Sequence, residues 1–122
     1  MNNKGQSLVL FILLIPLVLL ILFMIYDIAN MVQLKIELDN INYLAVDYGI
    51  DKMNDDDIYV KLNKLIIKNK PDIDSIAINI AEDKLNIVLE DKLDKMFISK
   101  FFSVKSSYTG YIEDDKKRIM KG

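Results

Sequence analysis

The chain has 122 residues, and its 16 basic and 18 acidic residues leave a formal net charge of −2. No basic block stands out along the sequence, which argues against nucleic acid as a partner. The absence of cysteine and histidine removes disulfides, thiolate metal sites, thiol nucleophiles and imidazole chemistry. We therefore expect one small domain, with no cofactor, no metal and no enzymatic activity.

The first feature in chain order is an uncharged run between Lys4 and Asp27. Residues 8–26 would form a helix about 28 Å long, which matches the hydrocarbon thickness of a bilayer. Sixteen of these 19 residues are Leu, Ile, Val or Phe, and their insertion is favoured by roughly 5–10 kcal/mol. The run is too long for a removable signal peptide and has no suitable cleavage site after it. We predict a retained transmembrane helix over residues 6–27.

Pro16 lies inside this run and cannot donate a hydrogen bond to the carbonyl group of Ile12, so a bend is expected there. Lys4 and the terminal amine precede the span, whereas the next basic residue after it is Lys35. The positive-inside rule therefore predicts a single-pass protein of the cell membrane with a cytoplasmic N-terminus and an extracytoplasmic C-terminal domain.

An amphipathic pattern follows over residues 28–50. Its apolar residues recur at alternating spacings of three and four, which is typical of an a/d seam. We predict a stem helix that ends near Tyr48, with Gly49 as its C-terminal cap. The seam is expected to pack on the protein's own domain, on a neighbouring subunit, or on both. Its members are Met31, Leu34, Leu38, Ile41, Ala45 and Tyr48.

Residues 51–122 are predicted to form a small α+β domain. A helix over residues 58–67 begins after an acidic triplet and ends before Pro71. Asp55, Asp56 and Asp57 fit an N-cap and the helix dipole. Calcium binding is the alternative, although three adjacent carboxylates lack the spacing of a calcium loop. The inner face of this helix comprises Ile58, Leu62, Leu65 and Ile66.

Beyond position 73 the apolar period changes to two, which is typical of β-strands. Two antiparallel strands, over residues 76–80 and 85–89, are predicted to flank a turn at residues 81–84. A third strand follows, so we predict a three-stranded antiparallel sheet whose apolar face the two helices cover. The apolar face of the third strand comprises Phe102, Val104, Ser106, Tyr108 and Ile112.

Two further segments are predicted to lie outside the sheet. Residues 91–100 contain Leu93, Met96, Phe97 and Ile98 and are expected to fold over the sheet edge as a loop or short helix. The acidic residues 113–115 and basic residues 116–118 are expected to form a solvated tail. The serines at positions 99, 103, 106 and 107 have no histidine and no obvious lysine partner, so they indicate no nucleophilic catalysis.

The order of these elements resembles that of a type IV pilin or pseudopilin. More narrowly, residues 4–50 resemble the opening of the TadE/TadG-like pseudopilins of tight-adherence (Flp-type) pilus systems. The pattern of that family runs Arg/Lys-Gly, four residues, Glu-Phe, an apolar stretch with Pro, and an acidic residue at its end. The matching residues here are Lys4, Gly5, Phe11, Pro16 and Asp27.

The resemblance implies that residues 1–5 are a leader peptide. A membrane-embedded prepilin peptidase would cut the Gly5–Gln6 bond and leave Gln6 as the new amino terminus. Gly5 suits such a site, since a residue without a side chain fits an extended protease groove. Major pilins carry a glutamate five residues after the cut, where this chain has Leu10. Either the protein is a minor subunit, or it is not processed.

The resemblance also implies a function, that of a minor pilin-like structural subunit of a tight-adherence pilus, in the cell membrane or in a surface filament. Its partners would be membrane lipid, other pilin-like subunits, a prepilin peptidase and the pilus assembly machinery. The alternative is an uncleaved single-pass membrane protein whose small outer domain binds a partner or ligand. The residues expected to pack helices together are Leu10, Phe11, Leu14, Pro16 and Asp27.

Overall fold

A computed structural model describes residues 3–92 and 102–122. Residues 91 and 92 belong to a strand, and the rest of the predicted connection up to residue 100 lies outside the described residues. The elements, in chain order, are α1 (Asn3–Asp51), α2 (Ile58–Asn69), β1 (Ser75–Ala81), β2 (Lys84–Lys92), β3 (Ser103–Glu113) and β4 (Lys116–Lys121). The predicted α+β class, with a long N-terminal helix, a short second helix and an antiparallel sheet, is confirmed.

Helix α1 joins the apolar run and the stem in one element of 49 residues, about 74 Å long. Pro16 lies inside it without ending it. The predicted end near Tyr48 is wrong, because α1 continues to Asp51 and Gly49 is buried inside the helix. A side chain at Gly49 would collide with Leu85 and approach Leu62. Close packing, rather than capping, explains the glycine.

The buried face of the stem includes Leu34, Leu38, Ile41 and Ala45, and Met31 packs against it. Tyr48 is 36% exposed. At 3.6 residues per turn, Tyr48 lies about 80° away from Leu38 around the helix, whereas Gly49 lies about 20° away. The stem packs on a sheet rather than in a coiled coil, so its buried face drifts from the heptad positions. Beyond Ala45 this face comprises Val46, Gly49 and Ile50.

Helix α2 begins after Asp57, whose side chain makes no capping hydrogen bond. Asp57 thus occupies the predicted N-cap position without the expected side-chain hydrogen bond. Asp55 and Asp57 instead form ion pairs with Lys61, at 2.9 and 3.3 Å. Within residues 3–92 and 102–122, no three acidic, histidine or cysteine side chains are grouped to hold a metal ion. The inner face of α2 buries Ile58, Leu62 and Ile66.

The sheet has four strands rather than the predicted three, in the order β1-β2-β3-β4, and each neighbouring pair is antiparallel. The predicted charged tail is wrong, because Lys116–Lys121 pairs with β3. Asp114 and Asp115 have φ values of 53° and 63°, as do Glu82 and Asp83 between β1 and β2. Positive φ at both central residues defines the tight hairpin turn that matches strand twist. In both turns of this sheet, two acidic residues occupy the central positions, where Asn-Gly is the more usual sequence.

Both helices cover the same face of the sheet, and the core lies between the helices and the sheet. Leu85, Ile87 and Leu89 are fully buried in β2. The inner face of β3 carries Val104, Ser106, Tyr108 and Gly110, whereas Phe102 and Ile112, also predicted there, are both 54% exposed. The core cluster comprises Leu34, Leu38, Ile41, Ala45, Val46, Ile50, Ile58, Leu62, Ile66, Leu85, Ile87, Leu89 and Val104.

The stem runs along β3 in the same direction as that strand. Lys35 donates a hydrogen bond to the carbonyl oxygen of Lys105 at 2.6 Å, and Ile50, four turns later, packs on Gly110. Because β1 is parallel to β3, both strands end at the side of the domain away from the apolar half of α1. The two hairpin turns therefore lie at this distal end.

Candidate functional site: the apolar helix and its junction with the domain

The N-terminal half of α1 presents an apolar surface on every side. All described residues before Asp27 are exposed, and an 18-residue window has a mean hydropathy of 3.5 with no buried residue. A core helix of a soluble domain would instead be buried on at least one face. The helix is long and apolar enough to cross a membrane, as predicted.

The residues predicted to pack helices together do not lie on one face of α1. Leu10 and Leu14, which are 65% and 48% exposed, are one turn apart on the same side. Phe11 is 60% exposed and lies about 100° from Leu10, and Pro16 lies about 140° beyond Phe11. The exposed segment thus offers several stripes, so a neighbour on one side leaves others for lipid or further neighbours.

Asp27 marks a sharp boundary between the two halves of α1. Tyr26 is 60% exposed and Asp27 is 2% exposed, which makes Asp27 the first buried residue of the helix. It is also the one charged residue between Lys4 and Lys35. The domain therefore shields this carboxylate at the point where the apolar surface ends. Asp27 belongs to the junction with the domain rather than to the exposed helix surface.

The predicted leader cleavage bond lies in the first turn of α1. A side chain at Gly5 would meet no atom within 4 Å, so packing inside the chain does not require glycine there. A peptidase that binds extended substrate would have to unwind this turn before cutting between Gly5 and Gln6. Unwinding a first turn costs little, because its N–H groups have no intrahelical partners.

A buried polar network joins the stem to the sheet. The Asn42 side-chain amide donates to the carbonyl oxygens of Ile87 at 2.9 Å and Ser106 at 3.0 Å, and to Ser106 Oγ at 3.2 Å. Ser106 Oγ donates in turn to Asp39 at 2.6 Å, and Lys35 lies 3.1 Å from the same carboxylate. Burial raises the pKa of Asp39, but the Ser106 and Lys35 interactions together hold it below its ordinary value.

Within this network Asn42 is fully buried, and its carbonyl oxygen Oδ1 has no hydrogen-bond partner. Leaving a buried acceptor unpaired costs about 1–3 kcal/mol. The three hydrogen bonds that the amide group donates offset this cost. The side-chain N–H groups of Asn42 therefore fix the stem against β2 and β3.

Two ion-pair clusters fasten the domain to the stem on either side of this network. At the distal end, Lys117 of β4 lies 2.6 Å from Asp51 and 3.1 Å from Asp47. These hydrogen bonds raise the pKa of Lys117. On the other side, Lys70, which follows α2, lies 3.2 Å from Asp91 of β2 and 3.7 Å from Glu37 of the stem. Each cluster joins separate elements, so α1 and the domain form one packed unit.

Sequence reasoning missed this attachment. The apolar seam identified the side of the stem that faces the domain, but Asn42 and Asp39 were not recognised as parts of the interface. A polar residue within an otherwise buried helical face is the signal that points to Asn42. Ser106 was placed correctly on the inner face of the third strand, yet its two partners lie more than 60 residues away in sequence.

The geometry defines an α+β domain fixed to the end of a helix that is long and apolar enough to span a membrane. No protein-family model, curated protein or solved structure matches the chain.

Proposed function

We propose that the protein is a minor pilin-like structural subunit of a tight-adherence, type IV-like pilus, assembled through its N-terminal helix. The observation that carries this proposal is the division of α1 at Asp27. The described residues before it are exposed and are apolar from position 8 to position 26, and the stem after it is packed against a folded domain. Such a molecule suits a filament whose core is built from helices and whose surface is built from domains.

The exposed half of α1 would lie in the cell membrane before assembly and pack against the helices of other subunits afterwards. Lipid and neighbouring helices are equally apolar, so association depends on van der Waals fit rather than on a hydrophobic driving force. Leu10 offers no carboxylate to pair with a neighbour's terminal amine. This favours a minor position, such as the filament tip, where no such pair has to form across a subunit contact.

The contacts of the stem supply the mechanical link that assembly requires. An ATP-driven machine that extracts the helix from the bilayer must move the domain with it. The Asn42 network, the Lys117 cluster and the Lys70 cluster all join α1 to other elements. A force applied along α1 would therefore be transmitted to the sheet through hydrogen bonds and packing rather than through a flexible linker.

The proposal also predicts how the chain is oriented in the membrane and where it is cleaved. Lys4 would keep the N-terminus in the cytoplasm, the domain would lie outside, and a prepilin peptidase would cut after Gly5. The first turn of α1 precedes the continuous apolar surface, so removal of the leader leaves that surface intact.

Leu14→Arg tests whether α1 packs with other subunits. Arginine at the centre of a span costs roughly 2.5–3.5 kcal/mol of insertion, less than the roughly 5–10 kcal/mol that favours insertion of the run. The variant should therefore stay at least partly in the membrane but disappear from the sheared filament fraction. Leu14→Ile, which conserves volume, should assemble normally. Normal assembly of Leu14→Arg would refute the proposal.

A further inference from the structure

The two edges of the sheet differ sharply in charge. Edge strand β1 has the sequence SIAINIA, without a charged residue, and Pro is absent from it. Edge strand β4 has the sequence KKRIMK, in which four of six residues are basic. Among the described residues, β1 pairs only with β2 and β4 only with β3, so each presents an unpaired row of backbone groups. Proteins usually protect such edges with charge, which β4 has and β1 lacks.

Acidic residues flank β1 at both ends. Asp72 and Asp74 precede it, and Glu82 and Asp83 follow it; all four residues are exposed. In β4, the basic residues lie at both ends of the strand, Lys116, Lys117 and Arg118 at the start and Lys121 at the end. Antiparallel pairing of β4 with the β1 of another molecule would place the basic start of β4 beside the acidic residues that follow β1.

We infer that β1 of one copy pairs with β4 of a second copy, which extends the sheet from subunit to subunit. Strands alternate in direction across the sheet, so β4 is antiparallel to β1 when both copies point the same way. Copies anchored in one membrane share that orientation. The inference rests on the proposed function for this common orientation, and it adds a contact between domains to the contact between helices.

The competing pairings of the same edges are less favourable. Antiparallel pairing of β1 with β1 requires a twofold axis perpendicular to the sheet, which reverses one α1 and brings acidic ends together. Pairing of β4 with β4 brings two strongly basic strands together. The β4-to-β1 contact is heterologous, so it repeats and forms an open row rather than a closed dimer.

Side-chain alternation restricts the register. Ile80 of β1 and Ile119 of β4 both point towards the helices, because they pair with the core positions Leu85 and Gly110. A continuous sheet must keep these inner positions opposite each other. The register with Ile119 opposite Ile80 places Lys117 opposite Glu82. It also places Met120 opposite Asn79, both exposed on the outer face.

A chain without cysteine makes this contact testable by disulfide cross-linking. The edges of one sheet lie three strand spacings apart, about 14 Å, and a disulfide needs Cα atoms within about 7 Å. Asn79→Cys combined with Met120→Cys therefore cannot close within one molecule. In membranes of cells that express the full chain, mild oxidation should give a ladder of dimers, trimers and longer species that reduction removes.

Matched single variants identify which edges meet. Asn79→Cys alone and Met120→Cys alone should give no cross-link, and co-expression of the two single variants should give dimers but no ladder. Dimers from Asn79→Cys alone would show β1-to-β1 pairing and overturn the inference. No ladder from the double variant would overturn it too, provided that both thiols react with maleimide and thermal unfolding matches wild type.

The same experiment separates this inference from the proposed function. Cross-linking is scored in membranes, and helix packing is scored by filament assembly of Leu14→Arg. Loss of the ladder together with loss of Leu14→Arg assembly would reject only the edge contact. A normal ladder together with normal Leu14→Arg assembly would reject only the pilin-like role.

Discussion

The side-chain amide of Asn42 donates a hydrogen bond to the carbonyl oxygen of Ser106, which lies 64 residues away in sequence, over a distance of 3.0 Å. This contact joins the middle of the stem to the central part of β3 in a site from which water is excluded. Apolar contacts tolerate sliding of a helix along a sheet, whereas a buried donor has few acceptable positions. The position of the stem along β3 is therefore set by a polar contact within an apolar interface.

Asn42→Ala should destabilise the domain, because it removes the buried hydrogen bonds that Asn42 donates to Ile87 and Ser106. The expected loss is about 1–3 kcal/mol of unfolding free energy. Urea titration of the full chain in detergent micelles measures it. Asn40→Ala, at an exposed position of the same helix, should change stability by less than about 0.5 kcal/mol. Equal effects of the two substitutions would contradict the role of the buried network.

Asp39 should make stability depend on pH in the acid range. Its folded pKa lies below the ordinary value of 3.8, so the ionised carboxylate stabilises the fold above that value. The stabilisation is lost as the pH falls through the lowered folded pKa. Asp39→Asn should therefore be less stable than wild type at neutral pH and lose less stability on acidification. Parallel acid profiles for the two proteins would rule out this contribution.

Gly110→Ala should weaken the contact between the stem and β3. A Cβ atom there would collide with Val46 and lie 2.5 Å from Ile50 Cδ1, and overpacking of this kind costs about 1–3 kcal/mol. In the background of Val46→Ala, the same change should cost less, because part of the clash is gone. A double-mutant cycle of unfolding free energies measures this coupling. Equal costs of Gly110→Ala in the two backgrounds would contradict this contact.

The β3–β4 turn gives a test of the fourth strand. Asp115 has a φ of 63°, a conformation that glycine adopts without steric cost. Asp115→Gly should therefore stabilise the domain, by about 0.5 kcal/mol after the entropy cost of glycine. Asp74→Gly, at an exposed position without positive φ, should give no gain. If residues 113–118 were a solvated tail, the two substitutions would have similarly small effects.

Much of the architecture follows from period and length in the sequence. The apolar run, the face of α2 and the alternation in β1 and β2 each have a strong local pattern. The fourth strand has no such pattern, because β4 is an edge strand with Ile119 as its main inward apolar residue, and its turn lacks glycine. The acidic turn and the basic strand after it have the composition of a solvated tail. Only the pairing with β3 identifies this segment as a strand.

The attachment of stem to sheet was harder to predict for a different reason. Asn42, Asp39 and Ser106 become a network only after the helix is placed on β3, and sequence spacing does not encode that placement. Gly49 likewise has the sequence features of a helix cap, and its role depends on the approach of Leu85. Asp27 was identified from its position at the end of the apolar run, but its burial depends on the domain.

The N-terminal sequence of the membrane-bound protein distinguishes a processed pilin-like subunit from an uncleaved anchor. We expect a chain that begins at Gln6, keeps the whole apolar surface of α1, and fractionates with membranes and sheared filaments. Gly5→Val should block this processing, whereas Asn3→Ala should not. A chain that begins at Met1 would favour an uncleaved membrane anchor instead. A soluble chain that begins beyond Asp27 would contradict the account altogether, because the surface proposed to join the subunits would be absent from the working protein.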